Sequence, residues 1–161
     1  MKRAMGHRAT RAVALSALAI GLTVAGAAAS NDVERSTGAT VYVPVYSQVY
    51  HGPKVRPFQL AATASVRNTD PDHPIKLVSV DYYDFNGKKV RGYVTSEIEL
   101  GPLASREFQV REDDRTGGSG ANFIVIWRSE APVNVPIIEG LMIGTAAGQG
   151  ISFTSRGQVI K

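Results

Sequence analysis

The sequence RTGGSGANFIVIWR, residues 115–128, decides the fold prediction for this chain. A glycine-rich loop leads into an apolar run that contains the only Trp of the sequence. If the run is a strand, Phe123, Val125 and Trp127 occupy one face, and two isoleucines occupy the other. A strand that is apolar on both faces lies in the middle of a sheet, so we expect packed layers above and below it.

Short strands separated by turn residues are predicted after residue 40. The clearest is residues 58–67, where five apolar side chains alternate with polar ones, as in a half-buried strand. Asn86-Gly87 predicts a hairpin, because both central positions of a type I′ turn need positive φ. The other predicted strands are 41–46, 75–85, 88–95, 98–100, 105–111, 137–145 and 151–155. With no convincing helix, the pattern predicts an all-β protein, an antiparallel, immunoglobulin-like β-sandwich of about eight strands; a small β-barrel is the alternative.

The segment VYVPVY, residues 41–46, is predicted to be an edge strand or a bulged one, because Pro44 has no N–H to donate. Tyr42, Tyr46 and Tyr50 fall on one strand face. They would either stack on a sugar or a partner, or form one face of a packed sheet, and we favour the packed face.

The N-terminus has the features of an export signal. A basic start precedes a short apolar run and an Ala-rich cleavage site, which predicts a signal peptide over 1–29 and a periplasmic or secreted protein. The alternative is an uncleaved membrane anchor. A polar, flexible leader is expected over 30–39, and a single β-sandwich domain over 40–161.

Charge and cysteine content exclude several classes. Residues 1–29 hold four Lys and Arg and no acidic residue; subtracting four from 18 leaves 14, equal to the 14 Asp and Glu. The remaining chain is therefore neutral, which excludes a nucleic-acid surface. With no Cys, the chain has no disulfide, thiolate metal site, Cys nucleophile or lipidation site.

The glycine-rich loop does not fit a catalytic motif. Ser119 fails as a nucleophile elbow, because Ala121 replaces the second glycine and a strand follows where a helix is required. No Gly-Lys-Ser/Thr follows, so a phosphate cradle is also excluded. We expect a long, flexible hairpin connection, tied down by the Asn122 side chain.

Two acidic turns could hold a cation through oxygen ligands. Asp70, Asp72 and His73 could do so together with Asp81 or Asp84, although their prolines explain the turn without a metal. The second turn contains Asp113 and Asp114 beside Arg115, and we expect it to be a solvated turn.

Glu97 and Glu99 would lie on one strand face, about 6–7 Å apart. Such pairs can cleave glycosides, but that chemistry needs a cleft and tuned pKa values. Charged residues on an edge strand more often prevent aggregation, which is the interpretation we prefer.

Five segments, VYVPVYSQVYHG, LAATASVRNTDP, VSVDYYDFNGKKVR, GGSGANFIVIW and PIIEGLMIGTAAGQGISFTSRG, occur in this order. Together they resemble a bacterial family catalogued only as a domain of unknown function, over about residues 40–160. The resemblance implies a small exported protein, with no assigned activity or catalytic residue. The chain differs from the lipoprotein pattern of such families in having no Cys to acylate.

We therefore expect an exported, non-catalytic binding or interaction module of the bacterial cell envelope. It would act through the loops at one end of the sandwich or through an exposed sheet edge. Its partner would be a protein or an envelope component, with no cofactor, no metal, no nucleic acid and no stable membrane insertion; the oligomeric state stays open. The candidate interaction residues are Asp70, Asp72, His73, Asp113, Arg115, Ser119 and Asn122.

The alternative function is a small metal-dependent binder or hydrolase. It would use two loops, residues 70–73 and 113–122, and it requires them to converge on one point.

Overall fold

The computed structural model describes residues 33–146 and 148–161, so the predicted signal peptide lies outside the described residues. The strands are β1 (Arg35–Pro44), β2 (Gln48–His51), β3 (Arg56–Gln59), β4 (Ala61–Arg67), β5 (Ile75–Tyr83), β6 (Lys89–Gly92), β7 (Ile98–Leu100), β8 (Ser105–Val110), β9 (Asn122–Asn134), β10 (Ile137–Ala146), β11 (Gln149–Arg156) and β12 (Gln158–Val159). A single 3₁₀ turn, Gly118–Gly120, precedes β9. Across these two ranges, no helix is long and apolar enough to cross a membrane.

Two antiparallel sheets form the molecule. The larger has the order β12-β1-β9-β5-β6, with β7 also paired to β5, and the smaller has the order β11-β10-β4-β8. A third, two-stranded sheet consists of β2 and β3, which form a separate hairpin. The predicted β-sandwich is confirmed. The alternative of a small β-barrel is wrong, because the sheets do not close.

The core lies between the two sheets. The larger sheet contributes Trp127, Phe123 and Tyr82, and the smaller contributes Met142 and Val66, all at most 1% exposed. The alternation predicted for residues 58–67 is confirmed, since its five apolar side chains are all buried. The prediction of a single strand there is wrong, because β3 ends at Gln59, pairs with β2, and is followed by β4 in the smaller sheet.

The strand β9 is central, between β1 and β5, as predicted. The expectation of packed layers on both of its faces is wrong. Phe123, Val125 and Trp127 face the core, whereas Ile126 on the opposite face is 36% exposed. An antiparallel sheet can leave one face to solvent, and here its central strand keeps apolar residues on that face.

The strand β1 differs from the prediction in its start and its neighbours. It begins at Arg35, which pairs with Asn134, so residues 35–39 belong to the sheet and not to a leader. It has β9 on one side and β12 on the other, and its register shift lies between Ser36 and Gly38, away from Pro44.

The tyrosines near β1 do not form a packed core face. The valines of VYVPVY are buried in the core, Tyr42 and Tyr46 are half-buried, with Tyr46 packed against the edge of the core, and Tyr50 is exposed. Tyr46 packs edge-on against Phe153, with ring centroids 5.6 Å apart.

The Asn86-Gly87 hairpin joins β5 to β6, as predicted, but the turn is not of type I′. Gly87 has φ of 76°, whereas Asn86 is not among the described residues with positive φ. Asp84 Oδ1 accepts the N–H groups of Asn86 at 2.9 Å and Lys88 at 2.8 Å. This carboxylate therefore sets the turn in place of a second left-handed residue.

The loops gather at the two ends of the sandwich. One end, the arm end, is named after the β2–β3 hairpin (the arm, residues 48–59), and it also contains the β5–β6 turn and the glycine-rich loop. These are joined by bonds from Ser47 N to Gly118 O and from Phe85 N to Gly117 O. The Asp70 end contains the β4–β5, β7–β8 and β9–β10 connections.

The last residues of the described chain pair with the middle of β1. Thr40 N donates to Lys161 O at 2.7 Å, and Ile160 N donates to Thr40 O at 2.9 Å. The last residues of the sequence therefore complete the edge of the larger sheet.

Candidate functional site

Asp70 is the most strongly bound side chain among the predicted site residues. It is 1% exposed. Its Oδ1 accepts the N–H groups of Asp72 and His73, both at 2.9 Å, and its Oδ2 accepts the N–H of Asn134 at 3.0 Å. His73 Nδ1 also lies 3.2 Å from Oδ1. Asp70 therefore caps its own loop and ties that loop to the end of β9.

These hydrogen bonds dominate the ionisation of Asp70. The backbone N–H groups of Asp72 and Asn134, followed by those of His73, hold the pKa of Asp70 well below its ordinary value, against the opposing effect of burial. The carboxylate is charged and occupied by protein donors. Asp72 and His73 are exposed beside it.

Asn68, which the sequence analysis did not single out, completes this loop. It is buried, and its side-chain amide donates to the carbonyl oxygens of His73 and Gly101 at 2.8 Å and 3.0 Å. Its Oδ1 accepts the N–H of Asp70 at 3.0 Å. The Asn-Thr-Asp-Pro sequence was a signal for such a turn, but its depth of burial depends on strands that are distant in sequence.

The glycine-rich loop is packed against the protein, and it is not a hairpin connection. It leads from β8 in the smaller sheet to β9 in the larger one. A Cβ on Gly117 would lie 1.8 Å from the Tyr82 hydroxyl oxygen, and one on Gly120 would lie 2.7 Å from the Phe85 ring. The glycines therefore allow this crossing segment to lie directly on two aromatic side chains.

Ser47 fastens the glycine-rich loop. Its N–H and its hydroxyl both donate to Gly118 O at 3.1 Å. Asn122, the predicted fastening residue, is buried at the start of β9. Ser119 is half-buried in the 3₁₀ turn.

The acidic residues of the other predicted loop make local ion pairs. Asp113 pairs with Arg111 at 2.9 Å, and Asp114 contacts Arg91 and Thr116. Arg115 is exposed. This agrees with the prediction of a solvated turn.

The structure does not bring the two predicted loops together. Residues 70–73 lie next to the start of β5, while residues 113–122 lie next to its end. Nine residues of extended strand separate them by about 26 Å. In the described part of the chain, no group of three His, Asp or Glu residues is placed to hold one metal ion.

Glu97 and Glu99 lie at the outer edge of the larger sheet, where charged residues were expected. Glu97 accepts two hydrogen bonds from Arg128, at 2.6 Å and 2.9 Å. This bonding is the main reason that the pKa of Glu97 is lowered.

The arm, residues 48–59, is the surface feature that the sequence analysis missed. It belongs to neither of the two larger sheets, and the bond from Leu60 N to Ser47 O closes its base, while Phe58 is buried in the core. The arm carries three basic side chains, His51, Lys54 and Arg56, and the sequence has no acidic residue from 45 to 69. None of the three forms an ion pair with another residue that the structure describes.

The tip of the arm combines this charge with apolar exposure. A concavity of about 300 Å³ is lined by the three basic residues with Gly52 and Pro53. Val55 beside it is 65% exposed and has φ of 49°, a left-handed conformation that is rare for a β-branched residue. Such strain often marks a functional surface.

The fold and this surface define an all-β sandwich protein with a basic hairpin arm. The family model described as "Protein of unknown function (DUF3124)" matches residues 38–160, and the chain belongs to this family. No curated protein matches the sequence. Among solved structures, the chain is similar to one titled "Crystal Structure of Thermotoga maritima 1070", with 12% identity and a TM-score of 0.46. The similarity covers 74% of this chain and 92% of that one.

Proposed function

We propose that the protein is an exported, non-catalytic binding module of the bacterial cell envelope, which binds an acidic protein surface through the arm. The observation that carries the proposal is the arm itself: three basic side chains, none in an ion pair with another described residue, line a concavity next to exposed Val55. Charge complementarity then favours an acidic partner. A metal-dependent site that uses both predicted loops has no such support, because these loops lie at opposite ends of the sandwich.

The expected binding free energy favours a protein over a lipid surface as the partner. At an anionic membrane, Lys54 and Arg56 would contribute about 1 kcal/mol each. Burying the side chain of Val55 would add about 2 kcal/mol. The total of about 4 kcal/mol corresponds to a dissociation constant near 1 mM, too weak for stable attachment. A protein partner can also enclose the concavity and pair with the hairpin backbone.

Site-specific cross-linking in cells tests this proposal. A photoreactive residue at Val55 is expected to capture one defined partner, because the arm tip would be enclosed by it. Leu103 is a matched control position, since it is also an exposed apolar residue with positive φ, but at the Asp70 end. The measurement is the yield of the cross-linked band at each position, by immunoblot.

Charge reversal on the arm provides the second readout. Lys54→Glu with Arg56→Glu is expected to lower the yield at Val55 at least about tenfold, a loss of about 1.4 kcal/mol. Arg106→Glu with Lys161→Glu changes the net charge equally, away from the arm, and should leave the yield unchanged. Both variants should fold normally, because exposed substitutions change stability by about 0.5 kcal/mol or less.

Three results would contradict the proposal. Equal cross-linking from Val55 and Leu103 would mean that the contact is nonspecific. A yield that is insensitive to arm charge would remove the basis for an acidic partner. Arm-dependent sedimentation with anionic vesicles at micromolar lipid, absent with zwitterionic vesicles, would identify the partner as a membrane surface.

A further inference from the structure

The smaller sheet has one long edge strand without charged residues in its centre. Within residues 33–146 and 148–161, β11 pairs only with β10. Its eight residues, QGISFTSR, contain no proline, and their only charge is at the last position, Arg156. Unpaired edges of this length are templates for another strand.

The other edges carry the usual protection. On the opposite side of the same sheet, β8 contains Arg106 and Glu107. In the larger sheet, β6 contains Lys89 and Arg91, and β12 is only two residues long. These other edge strands are charged or short, as edge strands usually are, and β11 is neither.

The backbone groups available on β11 follow from its pairing with β10. Gly157 N donates to Ile138 O at 2.8 Å, in the same register as the β10–β11 ladder. Hydrogen-bonded and non-hydrogen-bonded pairs alternate along an antiparallel ladder. The backbone groups of residues 151, 153 and 155 therefore face β10, and those of Ser152, Thr154 and Arg156 face outward.

The side chains of β11 leave apolar surface uncovered at the same edge. Ile151 and Phe153 point towards the core but are only half-buried, because no strand of the described residues lies beyond them. Tyr46 covers Phe153 from one side. A strand added to this edge would cover the remaining apolar surface and satisfy the outward backbone groups together.

We propose that β11 pairs with β11 of a second copy of this chain, in antiparallel orientation, with the twofold axis at Phe153. This register places Ser152 opposite the Thr154 of the second copy, so that the outward backbone groups of both meet in hydrogen-bonded pairs. The two phenylalanines lie opposite each other on the core side, a favourable cross-strand pair. Each Arg156 lies opposite a Gly150, so like charges do not meet.

The result is one eight-stranded sheet shared by two molecules. A single edge strand gives a small interface, so the dimer is weak and dissociates on dilution. Sedimentation velocity of the purified protein, as the cell processes it, is expected to show a monomer near 1 µM and a dimer towards 1 mM. A monomer throughout this range overturns the proposal.

Charge pairs on the outer positions test the register. Ser152→Lys with Thr154→Lys opposes lysines across the axis, and Ser152→Glu with Thr154→Glu opposes glutamates, so each variant alone is expected to dissociate at least about tenfold more readily. Mixed in equal amounts, the two variants should form a mixed dimer. Dimerisation unchanged in either variant, or no association in the mixture, contradicts the proposed edge.

The absence of cysteine allows a geometric test. At the twofold axis, Phe153→Cys brings two Cα atoms to about 4.5 Å, within the range for a disulfide. Mild oxidation should therefore yield a covalent dimer. Gln109→Cys, exposed on the β8 edge of the same sheet, is the control and should stay monomeric. No disulfide at position 153, or equal dimer from both variants, contradicts the twofold axis at Phe153.

Discussion

Asp70→Ala is expected to lower the midpoint of thermal unfolding by about 10 °C or more. The substitution leaves the N–H groups of Asp72, His73 and Asn134 without their shared acceptor, at a site that is 1% exposed. Buried donors without a partner are among the most destabilising defects in proteins. The measurement is thermal unfolding followed by circular dichroism.

Asp72→Ala is the matched control for this prediction. Asp72 lies two residues away in the same loop, but its side chain is exposed. Its N–H, which donates to Asp70, is retained in the variant. We expect a shift of no more than about 2 °C. Equal effects at both positions would show that the loop, and not the Asp70 carboxylate, carries the stability.

The Asp70 carboxylate also predicts that the free energy of unfolding decreases at acid pH. The pKa of Asp70 in the folded protein is well below its unfolded value of 3.8, because backbone N–H groups stabilise the charged form. Its contribution is therefore complete above about pH 4 and decreases progressively as the pH falls further. In urea unfolding measured from pH 2 to pH 6, Asp70→Asn should make the free energy of unfolding depend less on pH. An unchanged pH dependence would contradict the hydrogen bonds described for Asp70.

Gly117→Ala is expected to destabilise the protein by about 3 kcal/mol, the upper part of the range for overpacking. Backbone conformation is not the cause, since Gly117 has φ of −81° and ψ of −38°, which alanine adopts readily. The cause is space: the new Cβ would lie 1.8 Å from the Tyr82 hydroxyl and 2.7 Å from Ala121 Cβ. Urea unfolding measures the loss.

Gly101→Ala is its control, because among the described residues no atom beyond the chain neighbours lies within 4 Å of a Cβ at that position, and φ is not left-handed. We expect it to be neutral or to stabilise by about 0.5 kcal/mol through the unfolded chain. If Gly101→Ala were as harmful as Gly117→Ala, the explanation by close packing would be wrong.

Tyr82→Phe separates the hydroxyl from the ring in this contact. The Tyr82 hydroxyl is buried beside the Ser47 side chain, whose own hydroxyl donates to Gly118 O, so removal of the Tyr82 hydroxyl alone is expected to be nearly neutral or stabilising. In the double variant, Tyr82→Phe should recover at least about 1 kcal/mol of the Gly117→Ala loss. Additive effects would show that the hydroxyl does not obstruct the Cβ.

The Tyr82 hydroxyl also predicts how the free energy of unfolding changes at alkaline pH. Burial, followed by the negative charge of Asp114, raises the pKa of Tyr82 to about 12. A raised pKa means that its contribution is present below the unfolded value near 10 and is lost as the pH rises through 12. Tyr82→Phe should therefore reduce the decrease in the free energy of unfolding that is measured as the pH rises from 10 to 12.

The sequence allowed the sandwich to be predicted because strand alternation and turn residues are local signals. Residues 58–67 and the Asn86-Gly87 hairpin show this directly. The partner of each strand is not local: β9 follows β8 in sequence but lies in the other sheet. Nothing in the glycine-rich loop itself distinguishes a crossing between sheets from a hairpin.

The candidate sites were predicted less well, for a similar reason. Oxygen-rich turns such as residues 70–73 can bind cations or cap backbone groups, and the donor that ties Asp70 to the end of β9, Asn134 N, is distant in sequence. The arm was missed because Gly52-Pro53 indicates a break between strands. Its significance depends on which residues lie near its three basic side chains, and this is known only from the folded chain.

The pairing of Thr40 with Ile160 and Lys161 has a consequence for how the chain folds. The first strand of the larger sheet pairs with β9 and with the last residues of the sequence, so this sheet has few local pairings to nucleate it. Folding that depends on distant contacts is slow, on a scale of milliseconds to seconds. The β12 edge of the larger sheet cannot form until residues 158–161 have been synthesised, so β1 keeps one edge unpaired in any shorter nascent chain.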